Sequence, residues 1–191
     1  MRLSVLEQGH RLRTKALFKL VRLISRQPVV DAVKLAMYRP EFYGAGDLTH
    51  EAMRGPSEWS IGDRELMAAY VSKVNQTPFC TAAHSATSRL WYGDDEKVAA
   101  TLADLSTAPI DERLRATLGL LGTLTREHRV DPDDVRAVLA QGVTPAQIED
   151  ALAVCLAFNI TDRLADAFDF DLATPEAMTA GARYLLKRGY R

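Results

Sequence analysis

Prolines next to candidate helix caps constrain the fold of this chain more than any other feature of its sequence. Serine, threonine and aspartate are the preferred residues before a helix, and proline is favoured at the first helical position. Four pairs combine a cap residue with proline: Thr77-Pro78, Asp131-Pro132, Thr144-Pro145 and Thr174-Pro175. Ser60 and Asp111 are two further candidate N-caps, without a proline after them. The sequence therefore predicts six helix starts between residues 60 and 174.

Apolar residues recur at spacings of three and four through most of the chain, which is the period of a helix. No segment has the alternation expected of a strand, so we predict an all-α, single-domain helical bundle with short connections. The segment 43–59 contains Gly44, Gly46, Gly55 and Pro56 and is predicted to be a loop or hinge. Helices are predicted at 12–24, 28–38, 60–75, 111–128, 132–142, 145–170 and 175–188, and one further helix is predicted to begin at residue 78.

Charge is distributed unevenly along the chain. The net charge is −1, which gives no global reason to expect a nucleic-acid partner. Residues 1–40 carry nine Lys or Arg against two acids, so they hold +7 and the rest of the chain holds −8. The predicted helix at 12–24 places its basic residues opposite an apolar row. That pattern is typical of a helix that binds an anionic membrane or an acidic partner, but also of a solvated helix or a lid on a neighbouring subunit.

Only two cysteines, Cys80 and Cys155, occur in the 191 residues. This usage is typical of a reducing cytoplasm, where a lone thiol can be catalytic, and we expect a cytoplasmic protein. No apolar run approaches the roughly 20 residues of a membrane span, and Lys19 and Arg22 interrupt the one apolar stretch near the N-terminus. A membrane-spanning helix and a signal peptide are therefore not expected.

Cys80 and His84 are candidate catalytic residues because they lie four residues apart on the predicted helix after Thr77. That spacing places both on one face, and a helix N-terminus beside a basic group favours a thiolate. A carboxylate commonly orients such a histidine. Glu65 lies on the preceding helix, and the short connection 75–77 predicts a hairpin that could bring Glu65 to His84.

These residues resemble the alkylhydroperoxidase D / carboxymuconolactone decarboxylase family. Its members carry a glutamate, eleven intervening residues and then C-x-x-C-x-x-x-H; here Glu65 is followed by eleven residues and then by the segment from Thr77 to His84. Thr77 stands where the family has its first cysteine. The segments 64–66, 71–75 and 159–165 are also similar to the family. The resemblance covers residues 60–170 and implies one helical domain, which we assign to residues 1–191. Residues 1–45 are predicted to be a basic, helical N-terminal extension of it.

The resemblance implies a peroxidase of the peroxidase-related branch that reduces hydroperoxides without a cofactor. Cys80 would become a sulfenic acid, and His84, backed by Glu65, would relay the proton. The first cysteine of the family resolves that sulfenic acid, and threonine cannot form a disulfide. An external thiol reductant is therefore expected. The family assembly would be a trimer or a pair of trimers.

Alternatives remain at this point. The decarboxylase branch acts on a small lactone acid by acid–base chemistry, and a non-catalytic helical oligomer could retain the same residues as a relic. Glu65 could instead be a salt-bridge partner of Arg163 or Arg89. Cys155 has apolar neighbours and is predicted to be core. The remaining histidines are predicted to be solvated, and none of them pairs with acids in the pattern of a metal site: His10, His50 and His128.

Overall fold

The computed structural model describes residues 4–44 and 46–190, and it confirms the predicted all-α, single-domain fold because these residues form helices and no strand. The helices are α1 Val5–Gln8, α2 Leu12–Ser25, α3 Asp31–Tyr38, α4 Pro40–Tyr43, α5 Gly46–Arg54, α6 Ile61–Val74, α7 Pro78–Tyr92, α8 Asp95–Ala103, α9 Glu112–Glu127, α10 Pro132–Ala140, α11 Pro145–Ala167 and α12 Pro175–Arg188.

Helix starts fall where the caps predict them. Ser60 accepts a hydrogen bond from the backbone N–H of Asp63, whose side chain accepts one from the Ser60 N–H in return. Thr144 and Gln147 form the same reciprocal arrangement at the start of α11. Such a capping box satisfies two backbone donors that the first turn of a helix leaves unpaired. Local sequence therefore determines where these two long helices begin.

Helix α6 lies at the centre of the fold and contacts α7, α9 and α11. Leu66, Met67, Ala68 and Val71 are completely buried on it. A helix that is apolar on most of its circumference has to be covered on most sides. Trp59 closes one end of this core, with its indole N–H donating to the carbonyl of Gln147 at 2.9 Å.

Helices α6 and α7 form the predicted hairpin. The connection turns at Gln76, which has a φ of 60°, and the Thr77 N–H donates to the carbonyl of Ser72 at 2.9 Å. This left-handed residue reverses the chain within three residues. Because the turn is so short, one face of α6 is held against one face of α7.

Helices α3, α5 and α8 differ from the sequence-based expectation, and the short helices α1 and α4 were not predicted. Segment 43–59 was expected to be a loop, but it contains α5, with Ala52 and Met53 buried in the main core. Its glycines lie near the ends of the helix, where glycine costs little, and so do not mark a continuous loop. Helix α8 was not predicted, and the helix expected from residue 28 begins at Asp31.

His10 was predicted to be solvated but is buried against the rings of Phe18 and Tyr38.

A small second cluster joins the N-terminal helices to the end of α11. Leu6 of α1 and Leu35 of α3 are buried against Phe168. Helix α2, by contrast, contributes no buried residue. The predicted boundaries of an extension at 1–45 and a family region at 60–170 remain a prediction. Among the described residues, no helix has both the length and the hydropathy that crossing a bilayer requires.

Candidate active site

The hairpin brings Glu65 of α6 to His84 of α7. The Glu65 Oε2 atom lies 2.8 Å from His84 Nδ1, and both side chains are almost completely buried. Because an ionised carboxylate can only accept, the His84 Nδ1–H donates, which leaves Nε2 free to take up or release a proton. The contact that the sequence left open is therefore present.

Glu65 has two further partners that the sequence analysis missed. Arg54, at the end of α5, places its Nη2 atom 2.6 Å from Glu65 Oε1. Tyr190, after α12, donates its hydroxyl to the same oxygen at 2.9 Å. Arg54 thus occupies the place proposed for Arg163 or Arg89, which is a correction to that alternative. Arg54 was missed because it lay in the predicted loop, and Tyr190 because it lies 125 residues away.

These partners keep Glu65 ionised. Burial alone would raise the pKa of the Glu65 carboxyl, but the hydrogen bond from His84 and the positive charges of His84 and Arg54 hold it below its ordinary value. The His84 ring also meets Phe158 edge-on at 4.4 Å and stacks on Tyr190 at 6.1 Å between ring centroids. The imidazole is therefore fixed in orientation by one carboxylate and two aromatic rings.

Cys80 does not have the environment that the sequence predicted. The thiol is 1% exposed, although it lies in the first turn of α7. Burial, the hydrogen-bonded carboxylate of Asp162 and the nearby charge of Asp166 raise the pKa of the Cys80 thiol far above its usual range. The expected activation of Cys80 by the helix N-terminus is wrong, because burial of the thiol and the two carboxylates of α11 oppose formation of the thiolate. Cys80 is held as a neutral thiol.

Asp162 is a buried carboxylate at the centre of this arrangement. It is 0% exposed, and it accepts hydrogen bonds from Ser72 Oγ and Asn75 Nδ2, each at 2.8 Å. Burial raises its own pKa, while the donors from Asn75, Ser72 and Cys80 oppose that rise. The segment 159–165 was noted for its resemblance to the family, and that was the available signal for Asp162.

Thr77 occupies the N-cap position of α7, but its hydroxyl does not cap the helix. Thr77 is 1% exposed, and its Oγ1 atom donates to Asp166 Oδ2 at 2.8 Å. The threonine that replaces the expected cysteine therefore ties α7 to α11. This contact joins two helices that are distant in sequence, so capping preference alone could not predict it.

Cys155 lies in the main core, as predicted. Its sulfur contacts Thr125 Oγ1 at 3.6 Å and Asn159 Nδ2 at 3.3 Å, and it forms no disulfide. Burial raises the pKa of its thiol also. Within residues 4–44 and 46–190, no group of three or more His, Cys, Asp or Glu side chains is arranged to hold a metal ion.

Replacing Arg54 with methionine is expected to lower the free energy of unfolding by about 3 kcal/mol, since it leaves a buried carboxylate with one positive partner fewer. Urea unfolding at pH 7 measures this loss. Glu65 has a lowered folded-state pKa, so its stabilising contribution is present above the ordinary value of 4.5 and disappears as the pH falls through the folded value. The variant should consequently lose less stability on acidification than the wild type.

A matched control is available in the exposed pair of Arg39 and Glu41, whose nitrogen and oxygen lie 2.5 Å apart. Arg39→Met should leave the unfolding transition unchanged, because solvent screens exposed pairs. Equal effects of the two substitutions would show that Arg54 does not stabilise the buried carboxylate.

Comparison with known proteins shows similarity in structure. No protein-family model matches the chain, and no curated protein matches it significantly. A peroxidase-related protein from Silicibacter sp. TM1040 has a crystal structure that superposes with a TM-score of 0.74, at 24% identity over 91% of both chains. An alkylhydroperoxidase AhpD core, a peroxidase-related protein from Ralstonia eutropha JMP134, superposes with a TM-score of 0.72, at 22% identity over 91% of this chain and 94% of that one. The chain therefore has the all-α fold of these peroxidase-related proteins.

Proposed function

We propose that this protein is a peroxidase-like oxidoreductase that reduces hydroperoxides through Cys80, with His84 as the proton relay and Glu65 as the residue that orients His84. The observation that carries the proposal is the buried contact of 2.8 Å between His84 and Glu65, with Cys80 one turn before His84 on the same helix. The fold shared with peroxidase-related proteins supports the same class of reaction.

The proposed chemistry begins with transfer of the Cys80 proton to His84 Nε2. The thiolate sulfur attacks the terminal oxygen of the hydroperoxide, the O–O bond breaks, and a sulfenic acid forms on Cys80. The departing alkoxide takes a proton from His84 Nε2, so the products are an alcohol and the oxidised cysteine. Glu65 stabilises the histidine while it carries the additional proton. Cys80 supplies both electrons for this step.

The cycle requires a thiol reductant from outside the chain. Thr77 holds no sulfur, and Cys155 lies in the core against Thr125. One external thiol would react with the sulfenic acid to form a mixed disulfide with Cys80 and release water. A second external thiol would then attack the mixed disulfide, so that Cys80 returns to the thiol and the two external thiols leave as a disulfide. A reducing cytoplasm, the predicted location, would supply such thiols. The predicted homo-oligomer remains part of this proposal.

A second candidate is a lyase similar to carboxymuconolactone decarboxylase, acting on a small acid through His84 and Glu65. The observation that favours it is the environment of Cys80, where burial and Asp162 raise the thiol pKa and oppose formation of the thiolate. In that case Cys80 would be a packing residue, and His84 Nε2 would move the proton of the substrate. The same imidazole–carboxylate pair serves either reaction.

Oxidation of Cys80 by a hydroperoxide is the expected result that distinguishes the peroxidase from the lyase. Wild-type protein is treated with a small organic hydroperoxide in the presence of a sulfenic-acid trap, and its cysteine peptides are identified by mass spectrometry. We expect the trap on Cys80 and not on Cys155, and consumption of peroxide when an external thiol is added. Cys155→Ser is the matched control and should retain the reaction, whereas Cys80→Ser should abolish it. Trapping on neither cysteine would contradict the peroxidase proposal.

A further inference from the structure

Helix α2 has an apolar row that the other residues described by the structure leave exposed. Leu17, Leu20, Val21 and Ile24 recur at three- and four-residue spacings, so they share one face. Their exposed fractions are 43%, 52%, 39% and 75%, in the order given. None of the 14 residues of α2 is buried. The helix is amphipathic, yet its apolar row faces solvent in the folded chain.

The attachment of α2 explains this orientation. Phe18 is partly buried and meets the His10 ring edge-on at 5.0 Å. At about 100° per residue, Phe18 points roughly a third of a turn away from the centre of the apolar row. The contact with the body of the protein therefore uses a different side of the helix and leaves the row available to a partner.

Positive charge occupies the side opposite the apolar row. Residues 8–30 contain six Lys or Arg and no Asp or Glu. Three of them, Lys15, Lys19 and Arg22, lie about half a turn from the apolar row, and Arg26 follows directly after the last residue of α2. The chain as a whole has a net charge of −1, so this concentration of positive charge is local to the N-terminal helices.

A lipid surface that carries negative charge satisfies both faces of such a helix. The apolar row enters the boundary between headgroups and acyl chains, and the long basic side chains reach the headgroups and the negative surface potential. A partner protein would cover the apolar row and leave the opposite basic row in solvent. A helix of 14 residues is about 21 Å long, which is enough to lie flat but too short to span.

We propose that α2 docks this protein on an anionic membrane surface, lying parallel to the membrane with Leu17, Leu20, Val21 and Ile24 inserted. The proposal is independent of the chemistry at Cys80. It assigns the local positive charge and the exposed apolar row to one partner of defined chemistry.

Vesicle sedimentation of the 191-residue protein tests the proposal. Vesicles of phosphatidylcholine with 30% phosphatidylglycerol should sediment most of the protein at 50 mM salt, whereas pure phosphatidylcholine should sediment at least tenfold less. Each Lys or Arg near an anionic surface contributes about fivefold to binding. Lys19→Ala together with Arg22→Ala should therefore weaken binding by about 25-fold. Raising the salt to 0.5 M should release the protein.

Two further variants separate the apolar row from general surface effects. Leu20→Glu with Ile24→Glu should abolish binding to anionic vesicles, while Leu172→Glu, at a leucine that is 62% exposed outside α2, should bind like the wild type. Equal sedimentation with neutral vesicles, or none with anionic ones, would overturn the proposal. A different pair of results would also overturn the proposal: an oligomer, seen by light scattering, that Leu20→Glu with Ile24→Glu dissociates, and no binding of the wild type to vesicles. A second copy of the chain would then cover the apolar row.

Discussion

Replacing Asp162 with asparagine is expected to make the Cys80 thiol at least about tenfold more reactive towards an alkylating reagent at pH 7. Alkylation requires the thiolate, and its formation is opposed by burial of the sulfur and by the Asp162 carboxylate that is buried beside it. The amide of asparagine has nearly the same shape but no charge. Burial of the thiol remains, so the thiol pKa should fall but stay above its ordinary value.

The rate at which Cys80 is alkylated should depend on pH in a way that Asp162→Asn changes. With a thiol pKa above neutrality, the wild-type alkylation rate should rise about tenfold per pH unit through the neutral range. In Asp162→Asn the same curve should shift to lower pH. Asp166→Asn is the matched control, since Asp166 contributes less to the raised pKa and is exposed. Unchanged alkylation of Cys80 in folded Asp162→Asn would show that this carboxylate does not hold the cysteine in its thiol form.

Replacing Thr77 with cysteine is expected to introduce a disulfide to Cys80 under oxidant and to increase turnover with a dithiol reductant. Residues three apart at a helix start have Cα atoms about 5–6 Å apart, which is within the range of a disulfide. The sulfenic acid formed on Cys80 would be attacked by the new thiol, with release of water. Dihydrolipoamide could then reduce the disulfide and return both cysteines to the thiol form.

Stability should decrease only modestly in this variant. Thr77→Cys removes the hydrogen bond from Thr77 Oγ1 to Asp166, a loss of about 1 kcal/mol, because the exposed Asp166 can be solvated instead. Thermal unfolding measures that cost, and non-reducing peptide mapping identifies the disulfide. Thr77→Ser is the control, since it keeps the hydroxyl and adds no thiol. A folded Thr77→Cys protein without a disulfide would contradict the alignment of Thr77 with the first cysteine of the family. A disulfide without additional turnover would favour the lyase.

Local signals were sufficient for the features that depend on neighbouring residues. The N-caps at Ser60 and Thr144 predicted the starts of α6 and α11, and the short connection 75–77 predicted the hairpin. The hairpin allowed a contact between Glu65 and His84, the resemblance to the family motif made them a candidate pair, and the fold brings them together. The same local signals missed α5, because the glycines and the proline around it marked a loop, and α8, which no pair of cap residue and proline precedes.

The sequence by itself therefore determined the helical class, the hairpin and the candidate pair of Glu65 and His84, because caps, turns and helical spacing act over a few residues. Only the tertiary structure decided the charge state of the site. Arg54 reaches Glu65 from a helix that the sequence had predicted to be a loop, and Tyr190 and Asp162 reach Glu65 and Cys80 from segments that are distant in sequence. The pKa values of buried groups depend on such neighbours and on the loss of solvent, and neither is visible in local spacing. For that reason a cysteine that helix position predicted to be a thiolate is held as a thiol.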